Sequence, residues 1–436
     1  MTPPTTPDLS SLPSALASAL PSEVIQSILS HSPTPIDQQQ AQLACNLVSR
    51  HWYSATKNTT QYAVAHPKQA TKLALKLVKQ RKIAHVLNDS VSMRVRRLYL
   101  SLAKPGGIKS ADAKAFAKLL DACPELDSLE LSVGHGLELS NEKLKENKRI
   151  LGPMFADGST GLEEAMVNQK RLRVFKYNVQ GKVLESRALI RLLYPLQNLQ
   201  VLDLYNSELS EVPYPPGIPI ASLELPLHTL ILHELRGPHS FITITNLFQS
   251  AVANLRTLRL GYFWGESRDA LTPLLEGVKP FAHQLLEFEM RICRYTHLPF
   301  DSKPYLDLNN LLQKMTSLDT LAITLSGCDS EDDEPVPHFE IDEVRSVDVA
   351  IISSLDQIKC LKHLVLYVQM DVPMEELVEF ARASGLRSFT LIIMSVGSDG
   401  GGFDGDDEAL WMKELPARIR DALPASTVFE SRFEAI

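Results

Sequence analysis

One short pattern recurs ten times along the chain: an apolar residue, two variable ones, an apolar residue, one variable, and a further apolar residue. The first five copies are Val95-Leu98-Leu100, Leu126-Leu129-Leu131, Leu172-Phe175-Tyr177, Leu199-Leu202-Leu204 and Leu227-Leu230-Leu232. The rest are Leu255-Leu258-Leu260, Leu285-Phe288-Met290, Leu318-Leu321-Ile323, Leu361-Leu364-Leu366 and Leu386-Phe389-Leu391. Alternate apolar positions read as a short strand with one buried face. Such a strand cannot bury that face alone, and copies 25 to 46 residues apart point to repeats that stack and share one core. The expected class is α/β, a stacked solenoid with a parallel sheet inside and helices outside.

The segments between copies support that reading. Ser110 can cap ADAKAFAKLLDAC, Ser186 can cap RALIRLLY and Thr245 can cap NLFQSAVAN. Later helical returns are expected at 307–315, 347–358 and 374–384. Residues 207–225 carry four prolines and should cross as an extended loop. An insertion with a partial helix is expected over 133–170. Strand followed by helix at this period resembles the leucine-rich-repeat horseshoe, in a long and irregular variety. Two acidic loops, 329–343 and 398–408, follow the eighth and tenth copies. A helix from Ala409 and a final strand over 427–433 should close the open end of the core.

Composition narrows function. The chain has 436 residues and a net charge of -8, which argues against a general nucleic-acid binder. Its five cysteines, Cys45, Cys123, Cys293, Cys328 and Cys360, show no short paired spacing, so neither a zinc site nor a disulfide framework is expected. No signal-peptide pattern or membrane-length apolar run is present, and a cytoplasmic or nuclear location with no membrane partner is expected. No phosphate-binding loop, nucleophile elbow or paired-histidine metal motif occurs. The expectation is a protein with no catalytic residues, no metal and no cofactor.

The N-terminus divides into residues 1–16, rich in Pro, Ser and Thr and expected to be disordered, and a helical module over 17–62. A basic amphipathic linker helix follows at 68–87, within a linker of 63–93, with Leu73, Leu75, Leu77 and Val78 mostly on one face and its Lys and Arg residues solvated. Repeats would then run over 94–395 and the acidic loop and cap over 396–436. In the module, Pro21 suits a first helical position and Val24, Ile28 and Leu29 form an apolar face. Leu47, Val48 and Trp52 continue it after a proline-broken turn. So few residues cannot bury that much apolar surface alone.

Leu20-Pro21-x-Glu23-Val24, Ile28-Leu29 and Leu47-Val48-Ser49-Arg50-x-Trp52 together resemble an F-box. With the repeats behind it, the chain is similar to fungal F-box/leucine-rich-repeat substrate receptors of cullin–RING ubiquitin ligases. The resemblance implies that Leu20, Pro21, Val24, Ile28, Leu29, Leu47, Val48 and Trp52 dock on a Skp-family adaptor held by a cullin scaffold. The repeats would hold an unidentified protein target, and proximity, not chemistry, would be the contribution. The rival reading is a leucine-rich-repeat scaffold or regulator whose N-terminal helices only cap the solenoid.

A target surface follows from the alternation. Variable residues flanking the apolar ones point to the opposite, concave face. They are Lys176 and Asn178, Asp203 and Tyr205, Ile231 and His233, Arg259, then Glu289 and Arg291. Tyr and Arg are frequent hot spots in protein interfaces, so this strip is the expected target-binding face.

Overall fold

The computed structural model describes residues 61–64, 67–86, 95–101, 110–133, 162–185, 189, 193–210, 225–233, 253–263, 268–292, 302–325, 341–368, 374–395 and 405–435. It divides into two compact units: 1–179 with 191–198, and 180–190 with 199–436. The F-box-like residues Leu20, Pro21, Val24, Ile28, Leu29, Leu47, Val48 and Trp52 lie outside the described residues, as do the core of the 133–170 insertion, the proline-rich crossing beyond Ser210 and most of both acidic loops.

The first unit runs β1 (Gln61–Val64), α1 (Pro67–Val86), β2 (Arg97–Ser101), α2 (Ser110–Asp121), β3 (Ser128–Val133), α3 (Leu162–Val167) and the start of β4 (Val174–Glu185). Neighbours pair in chain order and in parallel. Tyr62, Leu98, Leu129 and Phe175 share one register row, and Val64, Leu100, Leu131 and Tyr177 the next. Parallel pairing of consecutive strands requires a crossover, which α1, α2 and α3 supply.

Two expectations are corrected here. The segment at 63–93 is no linker: β1 ends at Val64 and α1 is the crossover helix of a first strand–helix–strand unit, packed on α2. Its buried face is Ala70, Ala74 and Leu77, whereas Leu75 is 67% and Val78 42% exposed. Small alanines let α1 and α2 approach closely, so the larger residues are left outside. Nor is every basic residue solvated, since the Arg81 guanidinium donates to the Ala122 carbonyl just past α2. Gln169 performs a similar task, its Nε2 donating to the Leu120 carbonyl at 2.9 Å and satisfying a helix-end acceptor of α2.

The second unit contains β5 (Val201–Ser210), β6 (Thr229–His233), β7 (Thr257–Phe263), α4 (Arg268–Val278), a 3-10 turn (Lys279–Gln284), β8 (Glu287–Ile292) and α5 (Ser302–Leu312). It continues with β9 (Thr320–Thr324), α6 (Ile341–Leu355), β10 (His363–Val368), α7 (Met374–Ala383), β11 (Ser388–Ser395), α8 (Gly405–Ala422) and β12 (Val428–Ala435). β5 to β12 again pair in chain order, every pair parallel. One row reads Leu202, Leu230, Leu258, Phe288, Leu321, Leu364, Phe389 and Phe429. Every apolar residue of the ten repeated patterns, thirty in all, is buried. Each fully buried leucine stabilises by roughly 1.5–3 kcal/mol relative to exposure.

A backbone device recurs at most of the described junctions. The carbonyl of the residue before a strand accepts two amides from the next repeat: His228 O takes Arg256 N at 2.9 Å and Thr257 N at 3.0 Å. Leu286, Asp319 and Lys362 carbonyls do the same further along. The helices are amphipathic in the matching sense; α7 buries Leu377, Val378, Phe380 and Ala381 and exposes Glu375, Glu379 and Arg382. The expected terminal helix and strand are both present, and α8 buries Leu415 and Ile419. Val428 is 69% and Phe433 57% exposed on β12.

Candidate recognition strip

Strand alternation places Val201, Asp203 and Tyr205 on the face of β5 opposite the buried rungs, and the register carries that face across the second unit. One row is Asp203, Ile231, Arg259, Glu289, Ala322, Val365 and Thr390. Beside it run Tyr205, His233 and Gly261 at one end and Thr324, Tyr367 and Ile392 at the other. Seven of the expected target-face residues therefore share one face: Asp203, Tyr205, Ile231, His233, Arg259, Glu289 and Arg291. Lys176 lies in the first unit, in register with Glu130.

The aromatic end is organised by a missing side chain. Tyr205 and His233 rings lie 5.7 Å apart at 54°. Gly261 faces His233 in register, and a Cβ there would meet His233 Nδ1 at 2.0 Å. The imidazole thus occupies the space of an absent side chain. Burial is the main cause that pulls the His233 pKa below its ordinary value; Glu289 and Asp203 oppose this, while Arg291 and Arg259 reinforce it. Neutral His233 is the favoured form in this setting.

The charged end is internally compensated. Arg259 Nε donates to Glu287 Oε1 at 2.7 Å, and the same nitrogen lies 3.7 Å from Glu289 Oε2. Arg291 Nε lies 2.6 Å from Glu289 Oε1, a second ion pair on the same carboxylate. Opposite charges at this separation attract strongly whatever the angle between the groups. The Arg291 guanidinium also sits 4.3 Å from the Tyr367 ring centre. Next to it, Ala322, Tyr367, Ile392 and Met394 form a buried apolar patch with Val365 packed against it.

Sequence reasoning placed the strip but ended it early. Glu287, Gly261 and Tyr367 were missed, and Tyr367 stands one residue after Leu366 as Tyr205 stands after Leu204. The same alternation carried two repeats further finds it. The register breaks between Leu260 and Phe263, and the side chains of Tyr262, Phe263 and Trp264 lie outside the described residues.

Elsewhere the chemistry is quiet. Among the described residues, no group of His, Cys, Asp and Glu could hold a metal ion, and no helix is long and apolar enough to cross a membrane. Burial pushes the Cys123 thiol up to about 12, so it carries no thiolate at neutral pH. No protein-family model matches the chain, and no curated protein matches its sequence.

Proposed function

We propose that the chain is a non-catalytic substrate receptor of a Skp–cullin–F-box ubiquitin ligase. In this reading the N-terminal residues around Leu20, Pro21 and Trp52 bind the adaptor, and leucine-rich repeats hold the target. The observation that carries the recognition half is the strip from Tyr205 to Tyr367, which mixes two tyrosines, a histidine and two arginines along one register-aligned face. Stacked repeats commonly use such an extended face for partners, and Tyr and Arg supply contact area with directional bonding. Arg259 and Arg291 are already paired, so they act as fixed polar walls, and half-buried Tyr205 is the anchor, while Tyr367 is buried against Arg291 and shapes the wall.

One observation favours the rival reading, a scaffold whose N-terminal helices are only a cap: β1 starts at Gln61, so the expected 17–62 module would end inside the first described strand of the sheet. Both readings meet in one experiment. The full chain is affinity-purified from its source organism as wild type, as Leu20→Ala with Pro21→Ala, and as Tyr205→Ala. A receptor loses Skp and cullin in the first variant at unchanged melting temperature, and loses other protein partners in the second while keeping Skp. Retention of Skp by the first variant, or a fall in its melting temperature without any Skp in the wild type, overturns the receptor reading.

A further inference from the structure

β12 pairs with β11 on one side, and among the described residues no strand pairs with its other side. Its sequence, VFESRFEA, contains no proline or lysine, and its register with β11 is unbroken over all eight residues. Proline, lysine and a bulge, three of the usual devices that blunt a sheet edge, are therefore absent from this strand, and its exposed charges are of both signs. The backbone orientation is fixed by one bond, Val428 N–H to the Arg387 carbonyl at 2.9 Å on the β11 side. N–H and C=O groups alternate sides along a strand, so those of Glu430 and Arg432 face β11. Those of Phe429, Ser431 and Phe433 face the open edge.

The side chains have a matching symmetry. Phe429 and Phe433 share the face of the buried rungs; Phe429 meets Phe389 edge-on with ring centres 5.9 Å apart, while Phe433 is 57% exposed. Glu430 and Arg432 share the other face, half-exposed and bonded to each other along the strand at 2.9 Å. Read in either direction from Ser431, the strand presents a charge and then a phenylalanine, and the two charges are opposite.

We infer that β12 is a homodimerisation strand, pairing antiparallel with β12 of a second copy about a two-fold axis through Ser431. In that register Ser431 meets Ser431, and Phe429 of each copy meets Phe433 of the other. All are residues whose N–H and C=O face the edge, as hydrogen-bonded antiparallel pairs require. Glu430 of each copy then stands opposite Arg432 of the other on the second face. Opposite charges and aromatic pairs directly across a ladder stabilise it, and like charges destabilise it. The two adjacent allowed registers, centred on Glu430 or Arg432, set Glu against Glu or Arg against Arg. Charge therefore selects the register, and the same patch serves both copies, as a two-fold interface demands. One strand per copy is a small interface, so association depends on concentration.

The test is sedimentation velocity of the full chain from low to high micromolar concentration. The wild type should show a dimer fraction that rises with concentration. Arg432→Glu sets glutamates against each other and should weaken the dimer by about tenfold or more. Adding Glu430→Arg to that variant restores complementarity and should restore the dimer, which a folding defect does not do. Ser431→Pro removes an edge-facing N–H without touching a bond to β11 and should also give monomer at unchanged circular dichroism. A wild type that stays monomeric throughout, an Arg432→Glu variant that dimerises as well as wild type, or a double variant that folds but stays monomeric overturns the assignment.

Discussion

A Cβ on residue 261 would lie 2.0 Å from His233 Nδ1, so the position of that imidazole, and with it the Tyr205 contact, depends on one glycine. The ring is held by Tyr205 on one side and by burial over β7, and its pKa is lowered chiefly by that burial. Gly261→Ala forces the ring out of its place. The expected cost is about 1–3 kcal/mol, the range for overpacking a filled site. His233→Ala in the same chain removes the clash, so the double variant should recover most of the loss relative to His233→Ala alone. Denaturant titration of the four species forms a cycle, and additive losses would show that the two residues do not meet. The arginines behave differently. Reversing Arg259 or Arg291 strands Glu287 or Glu289 beside a like charge, so such variants report on internal pairing as much as on a partner.

At the scale of strands and helices, the rungs are the strongest elements. Leu258 is fully buried between Leu230 and Phe288 in the register, and Leu258→Ala should cost about 2–5 kcal/mol by denaturant titration. A neutral outcome would mean that the register is displaced. These rungs were legible because period-two burial leaves no other reading for leucine, x, leucine. What escaped did so for physical reasons. β1 offers only Tyr62 and Val64, with Thr59 where later copies carry a leading apolar residue, so its signal is too short to separate from a loop. In α1 the packing is done by Ala70 and Ala74, which a count of large apolar residues passes over in favour of the exposed Leu75 and Val78. The strip's positions were readable from alternation. Its ion pairs were not, because Arg259 and Glu287 are 28 residues apart and meet only once the register is set.

Within each compact unit the design is serial: the strands pair in chain order, an inner strand with the one before and the one after it, so stability there is close to a sum of local terms and neighbour terms. A strand with two neighbours opens only when both interfaces are lost, whereas β12 has one neighbour among the described residues and exposes Val428 and Phe433. Hydrogen exchange should resolve this difference strand by strand within the second unit. In the monomeric Arg432→Glu chain, the edge-facing amides of Phe429, Ser431 and Phe433 should exchange fast. Those of β6, β7 and β9, at the centre of the register, should exchange only through larger openings. In the wild type at high concentration the same three amides should slow, because pairing between copies supplies their missing acceptors, while the amides of β6 and β7 stay as they were. Equal protection of β12 and β7 in the monomer would contradict the serial account, since it would require the last strand to open with the centre as one cooperative body.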